Sequence, residues 1–154
     1  MVKTIFLADD AATDRLAFRV APLLRAGDCV LLHGPLGAGK SHFARALIRA
    51  RLGRMEEVPS PTFTLVQVYD DGAADIWHAD LYRLSRSDDV MELGLVDAFA
   101  TAICLVEWPD RLGPMAPPDA LILTLSTQGE GRLAAFSGGR PGLLAGLAAL
   151  DTCN

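Results

Sequence analysis

The chain has 154 residues, a formal net charge of −5 and 51% hydrophobic residues. That length fits one domain with a real core, and the apolar content excludes a disordered chain. The acidic balance makes a poor free-standing nucleic-acid binder, because neutralising phosphates takes a basic surface.

The opening "MVKTIFLADD" has too short an apolar stretch for a secretory signal. The apolar tail "PGLLAGLAAL" falls short of the roughly 20 residues a membrane span needs. A soluble, cytoplasmic protein is expected. "KTIFLA" alternates weakly and predicts a first strand. "TDRLAFRVAPLLRAG" predicts a helix capped by Thr13, with Leu16, Val20, Leu23 and Leu24 at helical spacing and Gly27 as its stop. "CVLLH" is a continuous apolar run, as a buried parallel strand would be. Ser41 to Leu52 reads as a helix ended by Gly53.

"TFTLVQVY" and "ADIWHADLYRL" flank "DDGA", whose Asp-Gly pair predicts a hairpin and so an antiparallel part of the sheet. "SDDVMELGL" begins with the cap-type Ser87 and two acids, which suit a helix N-terminus. "AICLVEW" is a second continuous apolar run, ending on an acid. "ALILTLST" and "RLAAFSG" predict a closing strand pair, and Pro141 opens a short last helix. Of the three cysteines, Cys29 and Cys104 lie in apolar runs and read as small buried hydrophobes; Cys153 is near the end, and no spacing suggests a metal clip.

Gly34, four residues, then Gly39-Lys40-Ser41 matches the phosphate-loop pattern in full, between an apolar strand and a helix. Gly37 and Gly39 let the backbone bend so that successive N–H groups face one anion, and the helix beginning near Lys40 points its positive end there. Lys40 would reach the β- and γ-phosphates, and the Ser41 hydroxyl would bind Mg²⁺. The loop thus contributes Gly34, Pro35, Leu36, Gly37, Ala38, Gly39, Lys40, Ser41 and His42 to nucleotide binding.

A phosphate-loop enzyme also needs an acid at a strand end to hold or relay to Mg²⁺. Asp80 in "IWHADLYRL" and Glu107 in "AICLVEW" are such acids, and ligands of doubly wound sheets gather at the carboxyl ends of strands. Otherwise Glu107 is a surface turn residue, and Asp80 a cap or a partner of Arg83. His78, two before Asp80, either shares its face of the strand or serves the core. Trp108 either stacks on a base or packs under the sheet. Arg45, Arg49, Arg51 and Arg54 form either a solvated face or a contact to a partner protein or tRNA.

The segments "GPLGAGKSHFARAL", "VPSPTFTLVQVY", "WHADLYRL" and "ICLVEWPDR", in this order, resemble the TsaE family, the ATPases of bacterial tRNA threonylcarbamoyladenosine synthesis. The resemblance runs from the first helix to "GEGRLAAF". It implies an α/β fold: a single phosphate-loop domain over 1–154 with a mixed, mainly parallel sheet flanked by helices and an antiparallel hairpin. It also implies ATP and Mg²⁺ as cofactors, weak ATPase activity alone, and work with TsaB and TsaD on adenosine 37 of tRNA. By the same resemblance Lys40 is the phosphate lysine, Ser41 the Mg²⁺ hydroxyl, and Asp80 and Glu107 the acids. Thr62, in the switch-like Ser60-Pro61-Thr62-Phe63, would face the γ-phosphate. Trp108, Arg132 and Asp10 or Thr13 fall where the family contacts the nucleotide. Pro35 and Ser41-His42 depart from the family, which commonly has an acid after the first glycine and Thr-Thr after the lysine; serine supplies the same oxygen.

Two rival functions are a stand-alone small-molecule kinase and a nucleotide-gated binding module without turnover. A kinase needs an arginine-rich lid, and only Arg83 and Arg86 lie between the Asp80 and Glu107 motifs. Turnover assays separate the binding module from an ATPase.

Overall fold

The computed structural model describes residues 2–53, 58, 65–84 and 89–150. Among the described residues seven strands make one sheet: β1 (Val2–Leu7), β2 (Cys29–His33), β3 (Val66–Asp70), β4 (Asp75–Asp80), β5 (Ile103–Glu107), β6 (Leu121–Gln128) and β7 (Gly131–Gly138). Their order across the sheet is β1-β7-β6-β2-β5-β4-β3. The centre is parallel, with β6, β2, β5 and β4 side by side. Both flanks are antiparallel: β7 and β1 beyond β6, and β3 beyond β4. The "DDGA" hairpin and the closing strand pair are therefore present as expected.

The continuous apolar runs mark the doubly covered centre. Along β2, Val30 and Leu32 join one core and Cys29 and Leu31 the other. Along β5, Ile103 and Leu105 part from Cys104 and Val106 in the same way, as alternation requires. The larger core takes the buried sides of α1 (Asp10–Val20), α2 (Lys40–Leu52) and α5 (Pro141–Ala148), with Leu16, Phe43, Leu47 and Leu143 among its members. The smaller core takes Val90 of α3 (Asp89–Glu92) and Leu95 and Ala98 of α4 (Leu95–Thr101). The layers are helix, sheet, helix. Pro141 stands in the first turn of α5, as its missing N–H favours.

The first helix differs from its expected bounds at both ends. Its N-cap is Asp9, whose carboxylate accepts the Ala12 N–H at 2.9 Å. Thr13 is an interior residue on the buried stripe Thr13, Leu16, Ala17 and Val20. The helix stops at Val20, and a short 3₁₀ turn (Ala21–Leu23) follows. Pro22 explains this: it has no N–H to continue the ladder, and its ring crowds the preceding turn. Gly27 lies in a later turn at φ +96°, where its N–H donates to the Ala102 carbonyl. Helix α2 does end as expected, on left-handed Gly53.

Arg51 does not lie on a solvated face. Its guanidinium donates to the carbonyls of Ala21 and Leu24 and pairs with Asp71 in the β3–β4 turn. Asp71 also accepts the N–H groups of Ala73 and Ala74. The end of α2 is thereby tied to two distant segments. Arg140 makes a similar staple, a two-pronged pair with buried Asp28. Ser87, Arg54, Arg86 and Cys153 lie outside the described residues, while Cys29 and Cys104 are buried thiols in register on β2 and β5. Burial pushes the Cys104 thiol up to about 12, so it stays uncharged. No helix among the described residues is long and apolar enough to cross a membrane.

Candidate functional site

The strand β2 ends at His33, and the chain turns through the loop into α2 at Lys40. Gly34, Gly37 and Gly39 all take positive φ, at 145°, 80° and 103°. At Gly34 a side chain would collide with the Leu125 carbonyl on β6; at Gly37 a side chain would meet nothing within 4 Å, so this glycine faces the open cleft. Helix α2 has no side-chain N-cap at Gly39. Its first amides are thus available to an anion, with the helix dipole behind them.

Lys40 is buried and folds back onto the loop, donating to the Gly34 carbonyl and, at 3.0 Å, to that of Pro35. Its Nζ lies 4.1 Å from the centre of the Trp108 ring. Burial lowers the Lys40 pKa, and the carboxylates of Glu107 and Asp80 pull it back up. Trp108 follows β5 in a left-handed conformation, φ +57°, which a bulky residue adopts only when its surroundings fix it. The Tyr82 ring leans on it at 4.9 Å. Trp108 packs against the smaller core and also lines the cleft above Lys40.

Asp80 and Glu107 are opposite one another at the ends of paired strands β4 and β5, and both are buried. Neither is a surface turn residue. The Ser41 hydroxyl donates to Glu107 Oε1 at 2.7 Å, and His78 Nε2 lies 2.7 Å from Glu107 Oε2. The Tyr82 N–H donates to Asp80 Oδ1 at 3.0 Å. On the other side of the loop, Arg132 of β7 donates to Asp10 at 2.9 Å and to the Gly37 carbonyl at 3.4 Å. A side chain on Gly39 would press on this guanidinium at 3.2 Å. The hydrogen bond from Arg132, helped by nearby His42, holds the Asp10 carboxyl below its ordinary pKa. His42 itself bonds Asp14 at 2.7 Å.

These groups enclose one cleft of about 700 Å³, a size that suits a nucleotide. Asp10, Leu36, Gly37, Gly39, Lys40, Ser41, His42, Asp80, Glu107, Trp108 and Arg132 line it. Gly34 and Pro35 instead border a smaller hollow of about 290 Å³ beside Trp108. Ala38 is buried under the loop. Thr13 is only 1% exposed and sits on the buried stripe of α1, as an interior residue of the helix and not its cap. Thr62 lies outside the described residues. Tyr82, Arg83 and Arg45 also line the cleft; for the first two the signal was their place just past the β4 acid. Leu36, 69% exposed, is the loop's apolar tip.

Ser41, Asp80 and Glu107 are all oxygen donors, two of them carboxylates buried side by side. That set suits a hard divalent cation such as Mg²⁺, which takes one or two protein carboxylates and keeps several waters.

The family model of the threonylcarbamoyl adenosine biosynthesis protein TsaE matches residues 7–134. The chain is 34% identical over 128 residues to the tRNA threonylcarbamoyladenosine biosynthesis protein TsaE of Rickettsia felis, covering 83% of this chain and 75% of the relative. It is 40% identical over 116 residues to the protein of the same name from Synechocystis, covering 73% of each. The crystal structure of Bacillus subtilis YdiB superposes with a TM-score of 0.79 at 28% identity, over 96% of both chains. With most of its length matched by the family model and by these relatives, the chain belongs to the TsaE family.

Proposed function

We propose that this chain is the Mg²⁺-dependent ATP-binding and ATP-hydrolysing subunit of a cytoplasmic tRNA threonylcarbamoyladenosine system, acting with TsaB and TsaD and reaching tRNA through them. The observation that carries the reading is the convergence of Leu36, Gly37, Gly39, Lys40 and Ser41 of the loop with Asp80 and Glu107 on one cleft. Loop amides and the start of α2 cradle phosphate oxygens. Lys40, held at the Gly34 and Pro35 carbonyls, stands in the cradle from which its ammonium would reach the β- and γ-phosphates. Trp108 covers the ammonium and excludes water beside it, which strengthens the local field. Ser41, Glu107 and Asp80 hold Mg²⁺, which screens the phosphate charge when bound. Arg132 braces the loop at Gly37 and Gly39 and keeps Asp10 ionised on the rim.

The segment Ser60 to Tyr69 contains no arginine to act as a finger, and Thr62 within it is assigned to the γ-phosphate. Where a partner supplies such a finger the gain is about a thousandfold or more. The isolated chain therefore hydrolyses ATP slowly. The test is ATP turnover with and without TsaB–TsaD and tRNA. Turnover should rise with the partners, and Thr62→Ala should blunt that rise more than it weakens ATP binding. Fast hydrolysis by the chain alone, unchanged by the partners, overturns the reading.

A further inference from the structure

We propose that His78 is a positioning residue that fixes which oxygen of Glu107 faces Ser41 and the cation. The inference rests on the nucleotide reading above. His78 and Asp80 are two apart on β4 and so share one face of the sheet. The His78 side chain is 0% exposed, and its Nε2 bonds Glu107 Oε2 at 2.7 Å. Glu107 Oε1 is taken by the Ser41 hydroxyl at the same distance. An ionised carboxylate only accepts, so the ring nitrogen must donate, and Nε2 carries the hydrogen.

The other ring nitrogen, Nδ1, has no partner among the described residues. An unpaired buried polar atom costs stability that an apolar residue of similar size would avoid. Among the described residues the ring thus has one polar contact, Glu107. The last torsion of a glutamate is broad and nearly two-fold, so a free carboxylate would exchange its oxygens. Here β4 grips one oxygen through the ring and α2 grips the other through the hydroxyl. The carboxylate on β5 is thereby held at both oxygens by this chain's own side chains. Removing a hydrogen-bond partner of a metal-binding group costs about 10–100-fold in metal affinity.

The test uses the full chain and a fluorescent ATP analogue, bound first in EDTA and then during an Mg²⁺ titration. His78→Leu should need at least about tenfold more Mg²⁺ for half-saturation, with unchanged affinity in EDTA. His78→Gln, whose amide still reaches Glu107, should stay close to wild type. If His78→Leu fails to fold, His78→Asn replaces it: its amide stays polar but stops short of Glu107. Wild-type Mg²⁺ dependence in the Leu or Asn variant overturns the inference, as does a folded Gln variant as weak as Leu. If the wild type binds no analogue, the nucleotide reading falls and takes this inference with it.

Discussion

The Ser41 hydroxyl, in the first turn of α2, donates to Glu107 Oε1 at the end of β5 across 2.7 Å. A phosphate loop and a strand-end acid thus share one hydrogen bond, although 66 positions separate them. Glu107→Gln keeps the shape and removes the charge. It should leave the melting temperature in EDTA within a few degrees of wild type. The Mg²⁺ needed for half-maximal ATP hydrolysis should rise at least about tenfold. Wild-type Mg²⁺ dependence in this variant would remove Glu107 from the metal site.

Lys40 tests the phosphate cradle. A ligand at about 100 times its dissociation constant adds roughly 2.7 kcal/mol to stability. ATP with Mg²⁺ should raise the melting temperature of the wild type, and Lys40→Ala should lose most of that rise. The comparison is a thermal melt of both proteins with and without ATP. Equal rises would place the nucleotide elsewhere.

Arg132 braces the loop from β7, touching Asp10, the Gly37 carbonyl and the space beside Gly39. A hydrogen bond to a charged group is worth about 1.5–3 kcal/mol. Arg132→Ala should therefore weaken nucleotide binding by about tenfold or more, measured by calorimetric titration. Asp10→Asn should weaken it less, because the guanidinium keeps its contact to Gly37.

Arg51 and Asp71 should matter for stability and not for the cleft. Arg51→Ala strands two carbonyls and a largely buried carboxylate. It should cost about 2–3 kcal/mol in urea unfolding, with unchanged ATP affinity. Burial works against ionisation of Asp71, but the amides of Ala73 and Ala74 and the Arg51 guanidinium outweigh it and hold its pKa below the ordinary value. A depressed carboxyl pKa gives stability that is full above the unfolded value of about 3.9 and is lost as pH falls through the folded value. Asp71→Asn should be the weaker protein at pH 7. Its deficit should narrow as the pH falls below about 4, and parallel stability curves down to pH 2 would contradict the assignment.

The phosphate loop was readable residue by residue because its conformation is a local matter: glycines at fixed spacing, an apolar strand before and a helix after. The acids Asp80 and Glu107 were readable for a related reason, since each ends a strand whose last residues are buried. The β3–β4 hairpin followed from turn chemistry. The start of the first helix did not, because Asp9, Asp10 and Thr13 all cap well, and packing chose Asp9 by burying Thr13. Its end before Pro22 was locally visible in the missing N–H, yet the helical spacing of Leu23 and Leu24 masked it.

Other relationships had no local signal at all. Arg51 finds its partners in segments before and after its own helix. His78 meets Glu107 only because β4 and β5 pair in one particular register, with Asp80 opposite Glu107. A shift of one residue would turn that imidazole to the other face of the sheet. Trp108 covers Lys40 only because a left-handed backbone turns its ring inward. Residue types and spacing settle conformations that neighbouring dihedrals and turn hydrogen bonds decide. Contacts between distant segments depend on strand register and on how the helices pack across the sheet, and those exist only once the chain has folded.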